Sequence, residues 1–472
     1  MEKEGKLFSN TLLLSVASMV SKTITFFMLP LYTAAMDPAE FGVADILVST
    51  ALLLLPIVSL HAPEAVFRFR IKGEQGALGA AALALFMGLA AFALCVPLLS
   101  LSAVLRPYLW LLYLYIVASL CRSFLAHVLR ADGAFSLYAI QQVFCTLLTV
   151  LFQLLLLRIW QRGVSGYLAA VLLADALTFA TLVPYLLTRL RDEKRPTLPL
   201  CKSMLRYALP MIPGTVLWWV MSVSDRYLVL LYCGEAATGI YAAAGRLPGL
   251  VTLAIGVFME AWHYAALRAE KGSEGELFGR IYALLLPILL AMGVGVILLA
   301  RPIVTLFLAR DFASAATLVP LLAFGALCGG LSNFLCSIYT LRMRSGAALL
   351  TGAVPAIGNI ALNLLLVPRL GVIGAALSTA LSFVFSLTIR LFHTRRLLTF
   401  SRYADRLFLS LGVLFTVALL MAFGFYVIGI LLAPLSLLPF WRQGMVAIRF
   451  VRRRGVAFWQ DLKKRGNYRK KV

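Results

Sequence analysis

Eight ionisable residues stand where an ionisable residue is costly. Lys22, Arg122, Arg226 and Arg246 interrupt apolar runs of membrane-spanning length, as do Asp175 and Asp225; Glu64 and Arg68 lie near the end of another such run. A charge at bilayer depth costs at least ~2.5–3.5 kcal/mol on insertion scales, so its retention points to a function. Helix rise gives the depth: Lys22 lies roughly 22 Å beyond Leu7, near or past mid-membrane. Asp175 falls near the middle of its span and Arg122 in the middle third of the fourth. Asp225 and Arg226 occupy the outer half of the seventh, and Arg246 the outer part of the eighth. An excess of embedded cations suits an anionic substrate, and phosphate is the natural partner of guanidinium. Lys22, Arg122, Arg226 and Arg246 are therefore the candidate substrate contacts, and Asp175 is a candidate for ion coupling.

Each position also has a structural reading. Arg226 and Arg246 can snorkel to the outer interface. Glu64 and Arg68, spaced i,i+4 with the acid first, suit a helical ion pair. Asp225 cannot face its neighbour Arg226, because adjacent helical residues point apart; it must meet another helix, with Arg246 as the candidate partner. Asp175 serves equally as a coupling site or as the partner of a buried cation. Glu260 and His263 share a helical face, but two ligands make no metal site. The sequence carries no GxxxxGK[ST] loop, no GxSxG and no HExxH, so no cofactor or metal is expected and the chain reads as a non-enzyme.

The elements that hold these charges are membrane helices. Of 472 residues 62% are hydrophobic, and the mean hydropathy is +0.93, far above the roughly 45–50% apolar content of globular chains. About fourteen runs reach spanning length. With the N-terminus placed inside, 33 of the 43 Lys and Arg residues fall on the even connections and the two ends, against six on the opposite connections. By the positive-inside rule both termini are cytoplasmic. The net charge of +23 is thus explained by topology and anionic lipid, not by nucleic acid. The seven cysteines form no CxxC pair and read as small apolar residues.

The chain repeats itself. Setting Leu7 on Met204, an offset of 197, aligns two turns: Asp37-Pro38-Ala39-Glu40-Phe41-Gly42-Val43 and Gly234-Glu235-Ala236-Ala237-Thr238-Gly239-Ile240. A second echo, at an offset of 208, sets Gly163-Val164-Ser165-Gly166 against Gly371-Val372-Ile373-Gly374. The pattern predicts a parallel duplication of six-span lobes, 1–200 and 201–400, as in transporters with a path between lobes. Residues 401–441 then form two further spans turning near Gly424, and 442–472 a basic cytoplasmic tail suited to the inner leaflet. The expected fold is all-α and integral to the membrane: about 14 transmembrane helices, two pseudo-symmetric six-helix lobes around a central cavity, and a C-terminal helical hairpin.

Several segments resemble the polysaccharide-transporter, or Wzx-type oligosaccharide flippase, family. They are Ser21-Lys22 through Met28-Leu29-Pro30-Leu31-Tyr32-Thr33; Pro38 to Gly42; Glu64-Ala65-Val66-Phe67-Arg68-Phe69; Ser224-Asp225-Arg226-Tyr227 with Gly239-Ile240-Tyr241 to Leu247-Pro248; and Asn363 to Pro368 leading to Gly371. The match runs over about 7–400, with the Asp225-Arg226-Tyr227 block its most specific part. The resemblance implies a superfamily shared with multidrug/toxin extruders and the lipid II flippase, and alternation between inward-open and outward-open states. The implied substrate is an undecaprenyl-pyrophosphate-linked oligosaccharide, moved across a bacterial cytoplasmic (inner) membrane for cell-surface polysaccharide synthesis. The resemblance also implies Lys22, Arg68, Arg226 and Arg246 as headgroup contacts and Glu64, Asp175 and Asp225 as groups for gating or ion coupling, with a proton or sodium as the coupling ion and membrane lipids as the surrounding partners.

Within that superfamily, a carrier of lipid II or another lipid precursor is the alternative. A multidrug extruder would suit an acidic interior better than this basic one. A polymerase or glycosyltransferase would need catalytic groups on a sizeable outside loop, and the longest here, from Arg301 to Ala316, is short.

Overall fold

The computed structural model describes residues 2–267, 274–342, 344–395 and 404–446. The tail beyond Val446, and with it the expected inner-leaflet segment, lies outside the described residues, as do the side chains of Glu260 and His263. Among the described residues helix is the only regular structure; no strand is present. This follows from the solvent: in hydrocarbon each backbone N–H and C=O must be satisfied within its own segment. Some buried hydroxyls bond back to their own helix. Thr50 donates to the carbonyl of Ile46 at 2.8 Å, and Ser378 to that of Gly374 at 2.8 Å.

The helices fall into two compact units. The first comprises Met1–Arg246, Val304–Ala315 and Gly352–Ser382. It contains α1 (Glu2–Phe27), α2 (Leu29–Ala35), α3 (Pro38–Val58), α4 (Ala62–Ile71), α5 (Ala77–Cys95), α6 (Leu109–Ala131), α7 (Phe135–Gln153), α8 (Gly163–Arg191), α9 (Leu198–Ala208), α10 (Ile212–Cys233) and α11 (Glu235–Arg246). Within it α3 packs along α11, α6 along α8, and α1 along α7. The start of α3 is set by its sequence. Asp37 caps it, accepting the Glu40 N–H at 2.8 Å, Pro38 fills the first turn, and Glu40 places a negative charge at the positive end of the dipole. Between α3 and α4 the chain breaks at Leu60 and His61, both left-handed at φ 51° and 52°.

The second unit comprises Leu247–Ile303, Ala316–Thr351 and Phe383–Val472. Its helices are α12 (Gly249–Leu267), α13 (Glu274–Leu298), the start of α14 (Ala300–Phe307), most of α15 (Ala315–Leu341), both ends of α16 (Ser345–Thr394), α17 (Ala404–Ala422) and α18 (Tyr426–Leu432). Its core is aromatic. Trp262 stands edge-on to Phe278 with ring centres 4.5 Å apart, stacks obliquely on Phe334, and donates to the Ser337 hydroxyl at 2.9 Å. The turn between α17 and α18 falls at Gly424, as the sequence pattern predicts.

Twelve described helices, not fourteen, are long and apolar enough to cross a membrane. Two features explain the difference. Gly346–Thr394 is a single 49-residue stretch, yet Gly371 within it adopts φ 58°, ψ −138° and joins two helices at a kink. The charged α1 is not among the twelve. The Gly371 conformation is open to glycine and closed to residues with a Cβ. Gly371→Ala is therefore expected to cost about 1–3 kcal/mol of stability, although no neighbour would crowd the added methyl. Gly346→Ala, in ordinary helical backbone with open space around it, should leave the thermal midpoint in detergent unchanged. Equal midpoints for the two variants would contradict this account.

Candidate functional site

The centre of the site is a carboxylate that the charge inventory passed over. Asp45 lies two turns into α3, with its side chain 4% exposed. Two arginines from beyond residue 200 converge on it. Arg226 of α10 places Nη1 2.9 Å from Oδ2, and Arg246 of α11 places Nη2 3.3 Å from Oδ1. Arg226 also donates to the Ser49 hydroxyl at 3.0 Å, one helical turn along α3. Arg246 is framed by aromatic faces, its guanidinium carbon 5.0 Å from the Phe41 ring centre and 5.7 Å from that of Tyr32. Two cations sharing one anion leave the cluster with one formal positive charge. The two arginine side chains are 21% and 24% exposed. A planar fork with unused donors is suited to phosphate oxygens.

Backbone contact holds this cluster together. Gly42 and Gly239, the residues equated by the 197-residue offset, face each other where α3 crosses α11. A Cβ built on Gly42 would stand 2.2 Å from the Glu235 carbonyl oxygen; one on Gly239 would stand 1.8 Å from that of Pro38. Only residues without a side chain permit such an approach, the small-residue packing common between membrane helices. Along the same side, Trp219 donates to the Ser49 carbonyl at 2.8 Å and the Tyr227 hydroxyl meets that of Thr50 at 2.7 Å. Phe41 packs edge-on to Phe312, and Thr33 accepts the Ala309 N–H at 3.2 Å.

Asp225 does not pair with Arg246, contrary to the sequence expectation, because Asp45 takes that arginine. Asp225 is buried and bonds instead to hydroxyls: Oδ2 accepts from Tyr241 of α11 and from Thr379 of α16, the latter at 2.9 Å, while Oδ1 accepts the Arg226 N–H at 3.0 Å. It does meet other helices, as the geometry of adjacent residues requires. The result is a buried carboxylate surrounded by neutral donors.

Arg122 and Asp175 find each other. Arg122 Nε lies 2.6 Å from Asp175 Oδ1, which Cys145 also approaches at 3.2 Å, and Ser119 donates to Oδ2. The pair joins α6 to α8 with the carboxylate 4% exposed. Charge balance there is complete.

On α4, Glu64 and Arg68 do not form the i,i+4 pair that their spacing allows. Glu64 is taken by His61 at 3.1 Å, whose other ring nitrogen lies 3.2 Å from the Thr215 hydroxyl. The left-handed turn at His61 swings its ring back over the first turn of α4, which the sequence pattern did not reveal. Arg68 is exposed and stacks on Tyr207, 4.4 Å from the ring centre. Lys22 is exposed on α1. A further network missed by the sequence reading ties three connections together. Arg70 pairs with Asp132 and, at 2.8 Å, with Glu193, whose other oxygen accepts the Gly76 and Leu78 N–H groups at the start of α5.

One sequence signal bears on the depth of Asp45, though not on its burial. Asp45 sits seven residues beyond Pro38, and Arg226 sits seven residues before Cys233. With antiparallel ends at one membrane face, equal offsets mean equal depth. Nothing comparable marks Tyr241 or Thr379, whose hydroxyls are ordinary in a helix.

Solved membrane transporters share this multi-pass helical fold. A structure of the lipid II flippase MurJ in an inward closed conformation matches with a TM-score of 0.67 at 15% identity, over 96% of this chain and 99% of that one. A multidrug resistance MATE transporter in its inward-facing conformation gives 0.62 at 15% identity, over 80% and 94%. A MOP superfamily transporter from Pyrococcus furiosus gives 0.60 at 16% identity, over 83% and 95%. At these identities the likeness is one of fold. The chain belongs to the polysaccharide biosynthesis protein family, which it matches over residues 7–262. No curated protein matches it.

Proposed function

We propose that the chain is a flippase carrying an undecaprenyl-pyrophosphate-linked oligosaccharide from the inner to the outer leaflet of the bacterial cytoplasmic membrane. It would work by alternating access of two six-helix lobes, 1–200 and 201–400, with both termini in the cytoplasm. The observation that carries this reading is the convergence of Arg226 and Arg246 on a single carboxylate, leaving one net positive charge. Membership of the polysaccharide biosynthesis family supports a saccharide-linked cargo. In this reading Arg226 and Arg246 hold the diphosphate. Lys22 and Arg68, both exposed, offer earlier contacts to the same headgroup. Arg122, matched by Asp175, belongs to the frame and not to the substrate. Asp225, buried among hydroxyls, and Glu64, beside His61, are the groups through which a proton or sodium ion would be coupled.

A second cargo, lipid II or a similar precursor, draws support from the near-complete overlap with MurJ. One experiment separates the two. The gene is deleted and the lipid-linked glycan that accumulates on the inner leaflet is identified by mass spectrometry. Arg226→Ala and Arg246→Ala should each fail to relieve that accumulation while the protein remains in the membrane. Full complementation by both, with Lys22→Ala equally active, would remove the cationic site from the mechanism.

A further inference from the structure

Asp45 occupies the place a substrate phosphate would take. We propose that it is a resident counter-ion which the anionic headgroup must displace, and that this displacement is what releases α3 from α11. The inference rests on Arg226 and Arg246 being the phosphate contacts, and it adds a specific role for a residue that the substrate itself need not touch.

Three observations carry it. First, both arginines spend their ionic contact on the same carboxylate, Arg226 on Oδ2 and Arg246 on Oδ1. A diphosphate offering several oxygens and more than one negative charge is a stronger partner for a pair of guanidinium forks than one carboxylate. The exchange therefore runs in favour of the ligand only if the ligand is highly charged; a neutral or cationic molecule cannot drive it. Second, Asp45 lies three residues from Gly42 on α3, and Arg246 seven residues from Gly239 on α11. The ionic contact and the glycine contact thus lie on the same two helices. Third, the side-chain bonds that the same stretch of α3 makes besides this pair go to α10, from Ser49 and Thr50, while Phe41 packs on Phe312. Breaking the shared ion pair removes the charged link that spans α3, α10 and α11 together.

The energetic logic is that of population shift. A ligand moves a conformational equilibrium only by its difference in affinity for the two states. If Asp45 competes for the arginines in the joined state and not in the separated one, the headgroup binds the separated state better, and by that margin it opens the contact. The basic-residue sorting assigns the Pro38 and Glu235 end to the outside of the membrane, so the released side would be the exit.

The test uses the full-length chain in lipid nanodiscs with inorganic pyrophosphate as the probe. Binding is read by calorimetry. Separation of α3 from α11 is read by the distance between spin labels at Ala39 and Ala236, with the seven native cysteines replaced by serine. In the unsubstituted chain, saturating pyrophosphate should lengthen the distance with the same half-saturation as binding. Asp45→Asn should bind pyrophosphate about tenfold tighter and show the longer distance without ligand. Should that variant fail to accumulate, the Asp45-intact protein decides alone: an unchanged distance at saturation overturns the inference. Arginine-dependent binding that Asp45→Asn leaves unaltered, with an unmoved distance, overturns it as well while sparing the phosphate site. Binding no stronger than that of the Arg226→Ala, Arg246→Ala double variant overturns the phosphate site itself.

Discussion

Gly239→Ala should cost the protein several kcal/mol and drive α11 away from α3. The added methyl would stand 1.8 Å from the Pro38 carbonyl oxygen, 2.8 Å from its carbon and 2.9 Å from the Gly42 nitrogen. These are backbone atoms and cannot rotate aside. The helices must part until the contact relaxes towards the ordinary 3.4 Å and beyond, which stretches the Asp45 pairs from 2.9 and 3.3 Å. Overpacking alone costs about 1–3 kcal/mol, and a broken buried ion pair about 3–5 kcal/mol when its partners stay buried. Gly42→Ala should behave alike, its methyl meeting the Glu235 carbonyl at 2.2 Å. The double variant should cost much less than the sum, since both residues guard one crossing. Gly214→Ala in α10, with open space around it, is the control and should be neutral. The reading is the thermal midpoint in detergent; Gly239→Ala matching Gly214→Ala would disprove the crossing geometry.

Asp175→Ala should be nearly as damaging. It leaves the Arg122 guanidinium without its carboxylate and orphans the Ser119 hydroxyl that donates to it. The cost of such an uncompensated buried charge is about 3–5 kcal/mol, visible as loss of folded protein from the membrane. Removing both charges with Arg122→Met and Asp175→Leu should recover most of the loss, because an apolar pair of similar volume often replaces a buried ion pair at little cost. Transport by the recovered double variant separates the two roles open to Asp175. Retained flipping assigns the pair to the scaffold; a stable but inactive double variant would make Asp175 a coupling residue.

The distribution of charge along the chain made the membrane class legible before any coordinates. The Asp37-Pro38 helix start and the Gly424 turn were readable for the same reason: caps, prolines and left-handed glycines act over a few residues. Partner choice was not readable. Arg246 was matched to Asp225 and meets Asp45, and Glu64 was matched to Arg68 and meets His61; periodicity places a side chain on a face but not against a particular neighbour. Asp45 escaped notice because its burial is created by α11, nearly two hundred residues away.

By itself, then, the order of residues determined that this is a many-helix membrane protein with cations retained at depth, because the cost of charge in hydrocarbon is paid locally, span by span. Only the folded chain decided which carboxylate each cation meets, since that depends on the close crossing of Gly42 and Gly239 and on an unsuspected left-handed turn at His61. Long-range pairing follows interhelical distance, and interhelical distance is a property of packing.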